Sequence, residues 1–259
     1  MKTYIINYTP FTERLAKTIE ALHVCSVYDI CIVNSWDKEE ICSNIVSSAD
    51  RWQEMVEKIS HILAYNTLEP LIRDYADPLV YESRRHGLAQ EIPWMQSRLL
   101  KRGEISVSLK HFFAIASIAN GADSHGLIVE DDIVLHSDSR ELLACTLEFA
   151  VEKKVGYLDI VGGCNLKPTK QELESSELKH NVCRLVIPRT RTAAGYILSK
   201  SVATEIANRF LPLALPIDWH LQALIIDIKN LAAFWSLEPV FLHGSELGSV
   251  DSWRNVDGI

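Results

Sequence analysis

The sequence predicts an α/β fold with a mostly parallel central sheet, and its N-terminal segment shows why. Residues 3–7 (TYIIN) and 27–33 (VYDICIV) are apolar segments of strand length. Between them, Leu15, Ile19 and Leu22 recur at helical spacing. A strand, a helix and a second strand in this order predict parallel pairing, because a crossover helix usually connects parallel strands.

The same alternation continues after residue 102. Residues 167–180 are polar and charged and are predicted to form a mobile loop, and residues 238–259 are predicted to be rich in loops. We expect the remaining helices over residues 103–120, 141–151 and 200–210, and the remaining strands over 126–129, 157–161, 182–187 and 193–198.

Composition excludes several classes of protein. The chain has 259 residues, of which 47% are hydrophobic and 23% charged, as in an ordinary globular protein. Its net charge of −8 argues against non-specific binding to nucleic acid. No apolar run reaches transmembrane length, and the N-terminus lacks the apolar stretch of a signal peptide, so we expect a cytoplasmic protein. The six cysteines include no Cys-x-x-Cys pair, which argues against a structural zinc site.

Residues 38–102 differ from the rest of the chain. Apolar residues recur there at helical spacing, and prolines interrupt the pattern. The sequence shows neither an internal repeat nor a clear linker. We therefore expect one domain over residues 1–259, with a helical insertion at about residues 38–102.

Three consecutive acids form the clearest chemical motif. Glu130, Asp131 and Asp132 follow a four-residue apolar strand in the segment LIVEDDIVL, residues 127–135. Ligands of open α/β sheets bind at the carboxyl ends of strands, and a divalent cation there would offset the repulsion among the carboxylates. Their oxygens suit Mg²⁺ or Mn²⁺. The alternative is a solvated acidic turn or helix N-terminus.

Three further segments hold candidate functional residues. Asp218, in PIDWHLQAL at residues 216–224, is either a helix N-cap or a carboxylate that takes a proton from an acceptor hydroxyl. His243 either completes a metal site, contacts a phosphate or is an ordinary satisfied histidine. The segment from Asn7 to Arg14 is a strand, turn and helix start that suits a nucleotide. Neither a G-x-G-x-x-G motif nor a Walker loop is present, which disfavours dinucleotide and P-loop sites.

Six segments are informative together: IINY at 5–8 with Glu13-Arg14, GEISVSLKH at 103–111, the three acids at 130–132, TAAGYILS at 192–199, Pro216-Ile217-Asp218, and HGSELGS at 243–249. Taken in order, they resemble glycosyltransferase family 25, the lipopolysaccharide and lipooligosaccharide biosynthesis glycosyltransferases. The family's Ser-His is Lys110-His111 in this chain, and its Gly-Cys is Ser106-Val107.

The resemblance implies a GT-A-like nucleotide-binding sandwich and an activity. A member would transfer a hexose, often galactose, from a UDP-sugar donor to a hydroxyl of a glycan or glycolipid acceptor, with inversion at the anomeric carbon. It would use Mn²⁺ or Mg²⁺ and would act in the synthesis of bacterial surface polysaccharide or lipopolysaccharide. Peripheral contact with the inner membrane stays open on this basis, as does the oligomeric state.

The resemblance also suggests a role for each candidate residue. Asp218 is the expected general base, with Glu130 as the alternative. Asp132, Asp131 and His243 are the expected metal ligands, and Asn7, Arg14, His111 and Asp131 the expected donor-binding residues. Two other functions remain open: a catalytically inactive homologue that binds a nucleotide or glycan, and a metal-dependent nucleotidyl or phosphoryl transferase.

Overall fold

The computed structural model describes residues 1–40, 100–164, 166–211, 213 and 215–248. Within these ranges the chain forms an α/β sandwich, with helices on both faces of one large sheet. The predicted helical insertion lies outside the described residues except at its two ends, and so does the end of the predicted loop-rich tail. The insertion and the single-domain organisation therefore stay predictions.

The described residues hold six α-helices and ten strands. The helices are α1 (Thr12–Val24), α2 (Arg102–Asn120), α3 (Ser139–Glu152), α4 (Lys170–Glu174), α5 (Lys200–Arg209) and α6 (Ile217–Ile226). The strands are β1 (Thr3–Ile6), β2 (Ile30–Val33), β3 (His125–Glu130), β4 (Ile133–Val134), β5 (Tyr157–Asp159), β6 (Ser176–Glu177), β7 (Val182–Arg184), β8 (Gly195–Ser199), β9 (Ala233–Ser236) and β10 (Leu242–His243).

Eight strands form the main sheet in the order β2-β1-β3-β8-β5-β9-β7-β6. Strand β8 is antiparallel to β3 and β5, and β7 is antiparallel to β9 and β6, whereas the other neighbours are parallel. Six strands therefore run in one direction, which confirms the mostly parallel sheet and the predicted parallel pairing of β1 with β2. A separate two-stranded sheet pairs β10 with β4.

The central strands are apolar on both faces because helices cover both sides of the sheet. Alternate residues enter opposite cores: Tyr4 and Ile6 pack on the side of α2, α5 and α6, and Ile5 packs on the side of α1 and α3. The same alternation in β3 places Ile128 in the first core and Val129 in the second. Continuous apolar runs in the sequence are thus the signature of strands buried on both faces.

The predicted mobile loop over residues 167–180 is wrong. That segment contains α4, strand β6 and a 3₁₀ turn over Leu178–His180. Thr169 caps α4 by accepting the amide of Glu172, whose buried carboxylate pairs with Arg189. The polar groups of this segment are satisfied partly within it, by the Thr169 cap, and partly by Arg189 outside it. Strand β9 was not predicted.

Candidate functional site

Two neighbouring parallel strands bring Asn7 and the three acids to one edge of the sheet. Ile6, the last residue of β1, pairs with Glu130, the last residue of β3. The amide of Asp131 donates to the carbonyl of Ile6 at 3.0 Å. Because both strands end at the same level, the chain just beyond each one forms a shared rim, which is the usual ligand position in an open α/β sheet.

Asp131 is the buried centre of one half of this rim. Its Oδ2 accepts the side-chain amide of Asn7 at 2.8 Å and the backbone amide of Tyr8 at 3.3 Å, and its Oδ1 pairs with Arg14. Burial raises the pKa of Asp131 to about 6, because desolvation outweighs the charge of Arg14 and the hydrogen bond from Asn7. The carboxylate therefore joins the β1 loop to the first turn of α1.

Arg14 links the two aspartates. Its Nη2 atom contacts Asp131 and lies 3.7 Å from Oδ2 of Asp132. Its guanidinium lies over the ring of Phe11 at 4.5 Å from the ring centroid. A guanidinium that lies over an aromatic ring and pairs with carboxylates has the planar set of donors that also suits a phosphate.

Asp132 faces a different set of partners. Its Oδ2 lies 3.3 Å from Nε2 of His243 and accepts the amide of Ser245, also at 3.3 Å. Burial by itself would raise the pKa of Asp132, but the hydrogen bond and charge of His243, together with Arg14, hold it below its usual range. Its other oxygen, Oδ1, is buried and has no hydrogen-bond partner among the described residues.

The small second sheet brings His243 to the acidic motif. His243 in β10 pairs with Ile133 in β4, and the amide of Gly244 donates to the carbonyl of Asp132 at 2.8 Å. Burial by itself would lower the pKa of His243, but the nearby carboxylates, Asp132 foremost, raise it to about 9. Two strands of two residues each therefore define this part of the site.

Glu130, Asp132 and His243 form a group that could hold a metal ion. Each offers one ligand atom, and these atoms lie within 4.8 Å of one another. The buried Oδ1 of Asp132, which has no hydrogen-bond partner in the part of the chain that the structure describes, fits such an ion, because a buried carboxylate oxygen needs a donor or a cation. Asp131 is not in this group, and its two oxygens contact the β1 loop and Arg14.

His111 and Tyr196 stand behind Glu130. The Nε2 atom of His111 lies 3.3 Å from Oε1 of Glu130, and its Nδ1 atom lies 2.9 Å from the hydroxyl of Tyr196. His111 and Tyr196 are completely buried, and their rings are stacked with centroids 5.8 Å apart. Thus His111 contacts an acid of the candidate metal group.

Lys110 supports the loops that form this rim. Lys110 is completely buried, and its ammonium donates to the carbonyl of Asn7 at 2.5 Å and pairs with Asp37. Asp37 also accepts the amide of Thr9 at 3.2 Å. Burial lowers the pKa of Lys110, although Asp37 acts against the shift. The lysine therefore ties the loops after β1 and β2 together.

Asp218 lies on the same rim but in another element. Its Oδ1 accepts the amide of Ala193 at 2.7 Å, and the carbonyl of the next residue, Ala194, accepts the amide of Glu130 at 2.8 Å. The N-cap of α6 is Pro216, so the cap alternative for Asp218 is wrong.

Burial raises the pKa of the Tyr196 phenol well above its usual value, and Glu130 and Asp218 both add to this shift.

The residues predicted from the sequence form two adjoining sets. The first set is Asn7, Arg14 and Asp131; the second is Glu130, Asp132, His243 and His111, with Asp218 joined to it through residues 193 and 194.

Two residues of the site, Tyr196 and Asp37, were not predicted as site residues. Tyr196 lies in the segment TAAGYILS at 192–199, but nothing in the local sequence distinguishes a site tyrosine from a core tyrosine.

Comparisons with known proteins are sparse. No family model matches the chain, and no curated protein matches it. Among solved structures, the chain is similar to apo UDP-glucose pyrophosphorylase, with 12% identity, a TM-score of 0.43, and coverage of 94% of this chain and 91% of that one. This similarity is too distant to indicate a function. None of the helices in the described ranges combines the length and apolar character needed to cross a bilayer.

Proposed function

We propose that this chain is a metal-dependent, inverting glycosyltransferase of the family 25 type. It would transfer a hexose, with galactose as the first candidate, from a UDP-sugar to a hydroxyl of a glycan or glycolipid in bacterial surface polysaccharide or lipopolysaccharide synthesis. The observation that supports this best is the group of Glu130, Asp132 and His243 at the end of β3, where a buried oxygen of Asp132 has no partner among the described residues.

The proposed metal ligands, two carboxylates and one imidazole, favour Mn²⁺ over Mg²⁺. Two carboxylates suit either ion, whereas an imidazole nitrogen is a better ligand for a transition metal. Glu130, Asp132 and His243 would hold the ion, and the ring of His243 would release its proton on binding because only a neutral imidazole is a metal ligand. When bound, such an ion supplies positive charge that stabilises the diphosphate of the leaving nucleotide.

Asn7, Arg14 and Asp131 form the donor side of the proposed site. Arg14 lies between the two aspartates, so its guanidinium is placed to bind the diphosphate of the donor. Asp131 would position Asn7, Tyr8 and Arg14 instead of binding the metal, because its oxygens already accept from all three.

Asp218 remains the proposed general base. Glu130 belongs to the proposed metal group and pairs with His111, which makes it less available for proton transfer. During transfer, the acceptor hydroxyl would give its proton to Asp218 as its oxygen bonds to the anomeric carbon, and the bond from that carbon to UDP would break. The amide of Ala193 holds one oxygen of Asp218 in place for this step.

Binding of UDP and Mn²⁺ by calorimetry tests the donor site. We expect UDP to bind tightly only with Mn²⁺, and Asp132→Asn to weaken Mn²⁺ binding at least about tenfold. The matched control is Asp227→Asn, an exposed aspartate that pairs with Arg209 on the surface. Unchanged Mn²⁺ binding by Asp132→Asn would contradict the metal assignment.

Product analysis separates the candidate functions. Incubation with labelled UDP-galactose and a set of glycan acceptors should give UDP and a galactosylated product. Release of UMP or pyrophosphate would instead support nucleotidyl or phosphoryl transfer, and donor binding without any turnover would support an inactive binding protein. Asp218→Asn should lower kcat by about 10²–10⁴ with little change in donor KM. A change in acceptor KM alone would make Asp218 an acceptor contact.

A further inference from the structure

We propose that Tyr196 and His111 are positioning residues that orient Glu130 toward the Asp132–His243 pair. The inference deepens the proposed function, because it assumes that Glu130 is a metal ligand. It assigns a role to Tyr196, which sequence motifs leave without one, and changes the role of His111 from donor binding to support of Glu130. Its basis is one continuous chain of hydrogen bonds from β8 through α2 to the end of β3.

With Glu130 ionised and His111 neutral, the chemistry of the three groups sets the direction of these hydrogen bonds. A carboxylate only accepts, so Nε2 of His111 must carry the hydrogen that faces Glu130. In the neutral ring, Nδ1 is then an acceptor and needs a donor, which the hydroxyl of Tyr196 provides at 2.9 Å. Glu130 and Tyr196 together thereby favour one neutral tautomer of His111, and Tyr196 satisfies its Nδ1 atom.

Packing prevents the two rings from rotating away. Both are completely buried in the core between the sheet and α2, and they are stacked at an interplanar angle of 13°. Glu130, by contrast, is partly exposed at the rim. A flexible carboxylate at an open strand end gains a defined orientation from this rigid partner, and His111 engages only one of its oxygens, Oε1.

A neighbouring tyrosine provides a matched control. Tyr157 in β5 lies beside Tyr196, with ring centroids 5.9 Å apart, and is also completely buried. Its hydroxyl has no hydrogen-bond partner among the described residues. Tyr196→Phe and Tyr157→Phe therefore remove the same atom from the same layer of the core, but only the first removes a donor to His111.

The first measurement is Mn²⁺ affinity, by electron paramagnetic resonance, of the full chain and its variants. Tyr196→Phe and His111→Leu should each weaken Mn²⁺ binding by about tenfold or more, the usual effect of losing a group that orients a metal ligand. Tyr157→Phe should bind like the wild type. His111→Gln should retain binding within about threefold, because the glutamine amide can replace the Nε2 donor.

A double variant tests whether Tyr196 acts through His111. In the His111→Gln background no ring nitrogen needs a donor, so adding Tyr196→Phe should cause no further loss of Mn²⁺ affinity. A full additional tenfold loss would show that Tyr196 supports the site in some other way and would overturn the inference.

Nitrogen NMR of labelled histidine gives a readout that loss of stability would not produce. In the wild type, His111 should be protonated at Nε2 and unprotonated at Nδ1. Tyr196→Phe should remove the hydrogen bond at Nδ1 and so shift the Nδ1 resonance, and Tyr157→Phe should leave it unchanged. A wild-type His111 protonated at Nδ1, either alone or together with Nε2, would refute the direction of the hydrogen bonds.

The outcomes distinguish the two levels of proposal. If the wild type binds no Mn²⁺, the metal site fails, and the inference fails with it. If the wild type binds Mn²⁺ and folded Tyr196→Phe binds it equally well, the positioning role is wrong while the proposed function stands. Thermal unfolding of every variant identifies any that fails to fold.

Discussion

Replacing Lys110 with methionine should destabilise the protein strongly. Lys110 is completely buried, its ammonium pairs with Asp37, and it donates to the carbonyl of Asn7. Methionine fills a similar volume but removes the charge and the donors. Asp37 then keeps a negative charge with its main cationic partner gone, and the Asn7 carbonyl loses its donor.

The expected magnitude follows from the surroundings of Asp37. Removing one partner of a buried ion pair typically costs about 3–5 kcal/mol, because the other charge is left uncompensated. The side chain of Asp37 is 10% exposed and still accepts the amide of Thr9, so we expect the lower end of this range. A loss of about 3 kcal/mol corresponds to a fall in Tm of roughly 6–12 °C for a domain of this size.

Urea unfolding followed by circular dichroism, with Tm as a second measure, checks this expectation. Lys110→Met combined with Asp37→Asn removes the unpaired charge and should recover about 1–2 kcal/mol of the loss. Lys153→Met is the control, because Lys153 is exposed and its pair with Glu152 contributes little. If Lys110→Met lies within about 0.5 kcal/mol of the wild type, the assignment of Lys110 as a buried tie between the two loops is refuted.

Three other perturbations have defined outcomes. Burial lowers the pKa of His220 to about 4, so the unfolded chain binds a proton at this histidine more tightly than the folded chain does. The contribution of neutral His220 to the free energy of unfolding is therefore fully present above about pH 6.5, and the free energy of unfolding should fall by about 3 kcal/mol as the pH falls towards 4. The hydrogen bond from Arg189 lowers the pKa of Glu172 to about 2, so the stabilisation from ionised Glu172 is fully present above about pH 4.5 and is lost as the pH falls towards 2. Glu172→Gln should lower the free energy of unfolding by about 1–3 kcal/mol at pH 7. Gly195→Ala would place a Cβ atom 2.3 Å from Cγ2 of Val161 and should cost about 1–3 kcal/mol, and adding Val161→Ala should restore part of it.

Urea unfolding with matched variants checks these three predictions, and for His220 and Glu172 it is measured as a function of pH. His220→Gln keeps a donor for the carbonyl of Phe210 but cannot titrate, so it should reduce the stability loss between pH 6.5 and 4. An unchanged pH profile would contradict the His220 assignment, and Glu172→Gln as stable as the wild type at pH 7 would contradict the role of the Arg189 pair. For Gly195, additive losses in the double variant would show that Val161 is not the obstacle.

Much of the fold was predictable because the signals for it are local. The apolar runs at 3–7 and 126–129 are strands, and the periodic segments after Thr12 and Gly103 are helices, within a few residues of the expected bounds. Strand β9 was not predicted, although it is four residues long and lies inside the sheet between β5 and β7. A short apolar segment is compatible with either a helix or a buried strand, so periodicity cannot assign it.

The different roles of the three consecutive acids could not be predicted from the sequence. Consecutive residues beyond a strand end have different surroundings, and here Asp131 contacts Asn7 and Arg14 whereas Asp132 contacts His243. The sequence shows three equal carboxylates. The partners of Asp131 and Asp132 come from segments more than 100 residues away, and the two-residue strands that bring His243 into place are too short to leave a pattern.

By itself, the sequence determined that this is an α/β chain with a row of acids at the end of a buried strand, because side-chain periodicity and strand ends are properties of neighbouring residues. Only the tertiary structure decided that Glu130 joins Asp132 and His243, that Asp131 turns to Arg14, and that Lys110 and Tyr196 support the rim. These pairings depend on strand register and on burial, which arise when distant segments pack together.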